Sequence, residues 1–147
     1  MKVLLTGSSK GIGYKIAQDL LAEGHELALH YNKNESPIED LLKDDKTGSF
    51  SVKADLSMQE EIKKMIENTI DKLSFPDCII NNAGIAESAD ISLDINSWSN
   101  MFDKTIDVNL KAPSLIFKEF LKYKREKKIN SRLRIINIAS RAAFRGE

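Results

Sequence analysis

Short apolar runs alternate along the chain with stretches in which apolar residues recur every three or four positions, a pattern that predicts an α/β domain with a parallel sheet. A first strand is predicted over residues 3–6. The first helix follows over 11–23, with Ile12, Ile16, Ala17, Leu20 and Leu21 on one face and Gly24 as C-cap. Residues 26–30 read as the second strand. Ser36 and Pro37 read as the N-cap and first residue of a helix that carries Leu41 and Leu42 and ends near Gly48. Residues 50–54 make a third strand. Ser57 with Glu60 reads as a capping box opening a helix whose Ile62, Met65, Ile66, Ile70 and Leu73 face the core. The fourth strand, 77–80, runs into the turn Asn81-Asn82-Ala83-Gly84. Residues 88–96 read as a loop. Asn96 or Ser97 then opens a helical region towards Lys124, with Ile106, Leu110, Leu115, Ile116, Phe117, Phe120 and Leu121 as a broad apolar face. Pro113 is expected to bend this region or divide it into two helices. A fifth strand is predicted over 133–139.

At 147 residues one domain is expected, spanning 1–147. Its 22 basic and 22 acidic residues cancel, so no net field favours nucleic acid or an anionic membrane. The basic run at 122–128 is interrupted by Glu126 and reads as a solvated helix end. No apolar stretch is long enough to span a bilayer, and nothing resembles a signal peptide. The lone Cys78 lies in an apolar run and suits a buried thiol in a reducing compartment, so the cytoplasm is the expected location. His25 and His30 lack neighbours at a recognisable ligand spacing, so no metal site is expected; both read as strand-flanking residues.

The chemistry begins where the first strand ends. Thr6-Gly-Ser-Ser-Lys-Gly-Ile-Gly13 is a glycine-rich turn between a strand and an amphipathic helix, a layout that presents backbone amides and a helix N-terminus to a pyrophosphate. Its spacing is neither Gly-x-Gly-x-x-Gly nor a phosphate loop ending in Gly-Lys-Ser/Thr, which disfavours an ATPase. The same residues are open to a second reading, a turn that merely packs a strand on a helix. Three further features fall at the carboxyl ends of predicted strands, where ligands bind in open parallel sheets: Asp55, the Asn81–Gly84 turn and Ser140.

Together with Asn109 these motifs resemble the classical short-chain dehydrogenase/reductase family, in particular the 3-oxoacyl-acyl-carrier-protein reductases, along the whole chain. The resemblance implies a doubly wound Rossmann-type parallel sheet of about five strands in the order 3-2-1-4-5, truncated before the family's last two strands. It implies that Gly7, Ser9, Lys10, Gly11, Ile12 and Gly13 cradle the pyrophosphate and adenosine ribose of a nicotinamide dinucleotide. Asp55, with Leu56 beside it, would receive the adenine amino group. Asn82, Ala83 and Gly84 would line the ribose, and Asn81 would brace the sheet. Asn109 would hold a water of the proton relay through a local helix distortion, and Ser140 would hydrogen-bond the substrate carbonyl or hydroxyl. The end of the second strand carries Asn32 where an NAD-preferring site places an acidic residue. With Lys10 and Lys33 available to a 2′-phosphate, NADP(H) is expected in preference to NAD(H).

The family pattern fails at one point. It requires a catalytic tyrosine and lysine, Tyr-x-x-x-Lys, beyond the serine, and only Arg141-Ala-Ala-Phe-Arg-Gly-Glu147 follow Ser140 here. The formal match Tyr123 to Lys127 precedes Ser140 in a charged helix end. The expectation is therefore the amino-terminal, cofactor-binding part of an NADP(H)-dependent carbonyl reductase or alcohol dehydrogenase, inactive alone. The fifth strand and Phe117, Phe120 or Tyr123 would be left exposed, and a homo-oligomer is expected. A non-catalytic dinucleotide-binding or oligomerisation module is the alternative. A methyltransferase is disfavoured by the missing acidic residue near the end of strand two.

Overall fold

In the computed structural model, which describes residues 1–87, 90–141 and 145, the apolar runs become strands β1 (Lys2–Leu5), β2 (Glu26–Tyr31), β3 (Phe50–Lys53), β4 (Cys78–Asn81) and β5 (Arg134–Asn137). The helices are α1 (Gly11–Ala22), α2 (Ser36–Leu42), α3 (Gln59–Leu73), α4 (Ile95–Ile106) and α5 (Ala112–Glu126), with a π-helical turn at Asp107–Lys111 joining the last two. All strand pairs are parallel, in the order β3-β2-β1-β4-β5. Crossovers between parallel strands place helices on both faces of the sheet.

Side chains alternate across a strand, and the sequence uses both faces. Val3, Leu5, Leu27, Leu29, Cys78 and Ile80 pack on one side with Ala17 of α1 and Ile38 of α2. Leu4, Ala28, Val52 and Ile79 pack on the other with Ile62, Met65, Ile66 and Leu73 of α3 and Ala112, Ile116 and Phe120 of α5. Burying each large aliphatic or aromatic side chain contributes about 1.5–3 kcal/mol before conformational entropy is subtracted. Burial also pushes the Cys78 thiol pKa up, so it stays protonated.

Helix starts differ from the sequence reading because acidic side chains compete for the caps. Ser57 does not open α3: its hydroxyl and amide both donate to Asp55 Oδ1, and the helix begins two residues later at Gln59. Instead of a Ser57–Glu60 box, Glu61 Oε2 accepts the Asp55 N–H at 2.6 Å. Ser36 is the first residue of α2 rather than its cap, and α2 stops at Leu42, well before Gly48, while Asp45 gathers the Thr47 and Ser49 amides into a turn around that glycine. Asp94 caps α4, accepting from the Asn96 and Ser97 amides, where Asn96 or Ser97 was the expected start. The expected loop begins at Ser88, which with Ala89 lies outside the described residues. Ile12 does not join the packed face of α1; it is 65% exposed. His30 lies within β2, not beside it, while His25 flanks that strand.

Pro113 does divide the long helical region. It sits in the first turn of α5, directly after the π-helical turn. Of the three aromatics expected to be exposed, Phe117 is, whereas Phe120 is fully buried against Phe75 and Tyr123 stacks on the same ring. Along β5, Ile136 stays 43% exposed and the following Ile138 41%.

Candidate functional site

The strand order reverses at β1, which has β2 on one side and β4 on the other, so a crevice opens beyond the carboxyl ends of β1 and β4. Two turns meet there. Thr6 is buried at the end of β1, and its Oγ1 accepts the N–H groups of Asn82 and Ala83, each at 3.0 Å. Asn82 returns the contact: its Nδ2 donates to the carbonyls of Thr6 and Gly7, both at 3.0 Å. Gly7 adopts φ +67°, and a Cβ there would stand 2.8 Å from the Ala83 Cα, so the turns touch backbone to backbone.

Gly13 closes the other side. Its Cβ would fall 2.2 Å from the Gly7 carbonyl oxygen and 2.3 Å from Asn82 Nδ2. The bare Cα at this position thus lets α1 dock on the turn itself. At Gly11 no atom lies within 4 Å of a built Cβ, but φ is +56°. Ser9 is half-buried, whereas Lys10 and Ile12 are exposed around the start of α1. Lys10 occupies the cap position in extended conformation and makes no side-chain cap bond. The N–H groups of Gly11, Ile12 and Gly13 precede the first intrahelical bond, from Tyr14 to Lys10, and α1 carries no acidic residue in its first turn. That donor set suits an anion.

His30 adds a link that spacing alone did not signal. Only 2% exposed, it accepts the Gly7 N–H on Nδ1 at 3.0 Å and donates from Nε2 to the Ala54 carbonyl at 2.9 Å. The imidazole is neutral with its proton on Nε2, because a backbone N–H faces one nitrogen and a carbonyl the other. Burial holds its pKa below the ordinary 6.5, against the raising effects of the Ala54 bond and the Asp55 charge. The unfolded chain therefore takes up this proton first as pH falls. Conformational stability is expected to be steady above about pH 7.5 and to fall below the unfolded value at up to about 1.4 kcal/mol per pH unit. Urea midpoints measured from pH 8 to about pH 5.5 check this, a window above the titration of ordinary carboxylates. A midpoint that stays flat would mean that His30 is as easily charged in the folded chain as in the unfolded one.

Asp55 stands just past β3. Its carboxyl is held below the usual range by bonds from the Ser57 hydroxyl and amide, with smaller help from the Asn32 side chain and the Lys104 charge against partial burial. The structure thus brings Asn32 and Asp55 together, as the two expected adenosine-side residues. Leu56 beside them is a core side chain, buried with Val52 and Ala54. One carboxylate near the end of β2 was missed. Glu35 accepts from the Tyr31 hydroxyl at 2.6 Å and from Ser51 Oγ, and these bonds, Ser51 first, lower its pKa. Burial and then Glu35 push the Tyr31 pKa up to about 12.

On the β4 side, Asn81 Nδ2 donates to Asn137 Oδ1 at 2.8 Å, tying β4 to β5. Gly84 is exposed, with Asn109 Oδ1 3.5 Å from the position of its missing Cβ. Asn109 lies within the π-helical turn and clamps one residue from both ends: Oδ1 accepts the Ile85 N–H at 2.9 Å and Nδ2 donates to the Ile85 carbonyl at 2.8 Å. Ser140 is exposed three residues past β5. Thr6, Ser8 and His30 escaped the sequence reading as site residues. The available signal was that each is a polar residue within or next to an apolar strand, where burial demands partners.

Comparison with known proteins fits this geometry. The family model for short chain dehydrogenase matches residues 1–147. A 3-oxoacyl-[acyl-carrier-protein] reductase of Staphylococcus epidermidis is 34% identical over 113 residues, covering 74% of this chain and 45% of the relative. The reductase of the same name from Staphylococcus aureus is 32% identical over 112 residues, covering 74% and 44%. The chain thus spans about half the length of these curated relatives. Among solved structures, a short-chain dehydrogenase/reductase variant of Serratia marcescens superposes with a TM-score of 0.78 at 21% identity, covering 97% of this chain and 56% of that one. A blue fluorescent protein from a metagenomic library, in complex with NADPH, gives a TM-score of 0.75 at 24% identity, covering 99% and 57%. At these identities the two superpositions speak to the fold.

Proposed function

The chain belongs to the short-chain dehydrogenase family, and from that premise we propose that it is the cofactor-binding part of an oxidoreductase that uses NADP(H) in preference to NAD(H) on a carbonyl or alcohol substrate. The observation that carries the reading is the junction of Thr6, Gly7 and Gly13 with Asn82 and Ala83, which fixes the glycine turn and the Asn-Ala-Gly turn on one crevice. When bound, the nicotinamide supplies or accepts hydride. The amides of Gly11, Ile12 and Gly13 hold pyrophosphate oxygens at the start of α1, with Ser9 and Lys10 beside them. Asp55 accepts from the adenine amino group, and Asn82, Ala83 and Gly84 line the nicotinamide-side ribose. Ser140 orients the substrate oxygen and steadies the charge that develops on it. Asn109, whose amide is committed to Ile85, is left its backbone carbonyl to hold a relay water.

The cofactor preference follows from charge. Asn32 is neutral, and the nearest later carboxylate, Glu35, is engaged by Tyr31 and Ser51. Lys10 and Lys33 remain to attract a 2′-phosphate. The exposed apolar residues of α4, α5 and the π-helical turn between them, among them Phe102, Ile106, Leu110 and Phe117, support assembly with a second copy. Among the described residues no helix is long and apolar enough to cross a membrane.

Calorimetric titration with NADPH and, separately, NADH tests the proposal. NADPH is expected to bind at least about tenfold tighter, a difference of about 1.4 kcal/mol. No turnover of simple ketones is expected from these 147 residues, which carry no Tyr-x-x-x-Lys beyond Ser140. Absence of heat with either dinucleotide, on a chain shown to be folded, would sink the reading. Tighter NADH binding would overturn the preference alone.

A further inference from the structure

We propose that His30 is a positioning residue of the dinucleotide site, its neutral imidazole coupling the glycine turn after β1 to the Ala54–Asp55 end of β3. This rests on the dinucleotide reading above and goes beyond it by assigning a role to a side chain that faces no ligand.

The coupling is geometric. β2 lies between β1 and β3, and His30 sits near its carboxyl end, level with Val52 of β3. Its backbone carbonyl accepts both the N–H and the Oγ–H of Ser8, each at 2.9 Å. Its ring reaches Gly7 through Nδ1 at 3.0 Å and Ala54 through Nε2 at 2.9 Å. One residue thus takes three of the donors of the turn and pins them to the residue before Asp55. The Gly7 N–H is the critical one, because Gly7 is in the left-handed region and its carbonyl must meet Asn82. A turn residue free to rotate would swing that carbonyl and misplace the amides that follow. Protonation of Nδ1 would set two donors face to face. Burial guards against this, and residues 6–9 bring no ionisable side chain; the Asp55 charge, which reaches His30 from the β3 side, works the other way by favouring the protonated ring.

Two conservative variants separate the arms of the coupling. His30→Asn keeps an acceptor, Oδ1, at the position of Nδ1 but cannot reach Ala54. His30→Gln keeps a donor, Nε2, at the position of the ring Nε2 but offers Gly7 no matched acceptor. NADPH affinity should fall by at least about tenfold in His30→Gln and His30→Ala, and by a smaller amount, about three- to tenfold, in His30→Asn, which keeps the Gly7 arm and loses the Ala54 arm. Amide exchange at Gly7, measured without ligand, should accelerate in the same two variants and not in the third. Equal affinity in all three variants and the wild type would overturn the positioning role while leaving the dinucleotide reading intact. A folded wild type that binds no NADPH would overturn both. If Gln or Ala variants fail to fold, the wild type alone still decides: a long-range proton–nitrogen NMR spectrum must show His30 protonated on Nε2, and protonation on Nδ1 refutes the coupling.

Discussion

Gly13→Ala is expected to cost at least about 3 kcal/mol of stability and to abolish dinucleotide binding. The added methyl would sit 2.2 Å from the Gly7 carbonyl oxygen, 2.3 Å from Asn82 Nδ2 and 2.9 Å from the Gly7 carbonyl carbon. Two of these neighbours are backbone, held by the Asn82 and His30 bonds to Gly7, so they cannot yield as a flexible side chain would. Relief requires α1 to back away, which opens the packing of Ala17 against the sheet. A domain stable by about 5–15 kcal/mol stays folded after such a loss, with little in reserve at the lower end of that range. Gly11→Ala is the control. Its methyl meets nothing within 4 Å, so its cost is the left-handed strain alone, about 1–2 kcal/mol. Urea unfolding of both variants checks the contrast, and equal losses would show that the docking of α1 on the turn is softer than its distances indicate.

Thr6→Val should be nearly as damaging, although it exchanges side chains of almost one shape. The hydroxyl it removes is buried and accepts two backbone N–H groups, from Asn82 and Ala83. Donors left without an acceptor cost about 1–3 kcal/mol each, less where water reaches them, so about 2–4 kcal/mol is expected in sum. Thr6→Ser keeps the hydroxyl and should lose only about 1 kcal/mol for the methyl group. The pair is measured by denaturant midpoints together with NADPH titration. A Val variant as stable as Ser would mean that the two turns are held by something other than this hydroxyl.

These two residues show how unevenly the sequence reveals the molecule. The central strands could be read from apolar runs such as Val3-Leu4-Leu5 and Cys78-Ile79-Ile80, because a strand covered on both faces has no polar alternation to blur it. The strand order came with the family resemblance. Helix starts were less legible, since a hydroxyl such as Ser57 can cap a helix or serve a nearby carboxylate, and only the position of Asp55 decides which. Gly7, Gly13 and Asn82 were visible as motif residues, yet their mutual contacts were not. Thr6 and Asn82 lie 76 positions apart, and His30 meets Ala54 across 24. Local periodicity carries no information about such pairs. Glu35 was overlooked for the same reason, its partner Ser51 being on the neighbouring strand.

The junction of Thr6 with Asn82 also bears on how the chain is made. The glycine turn leaves the ribosome well before the groups that close it, which follow 75 to 77 positions later. At about 5–20 residues per second, synthesis leaves that turn unfinished for roughly 4–15 s. β1 can pair with β2 early, whereas its second edge waits for β4, and closure of so long a loop carries an entropy cost that local contacts do not offset. A segment made before most of its partners is thus among the last to reach its final form.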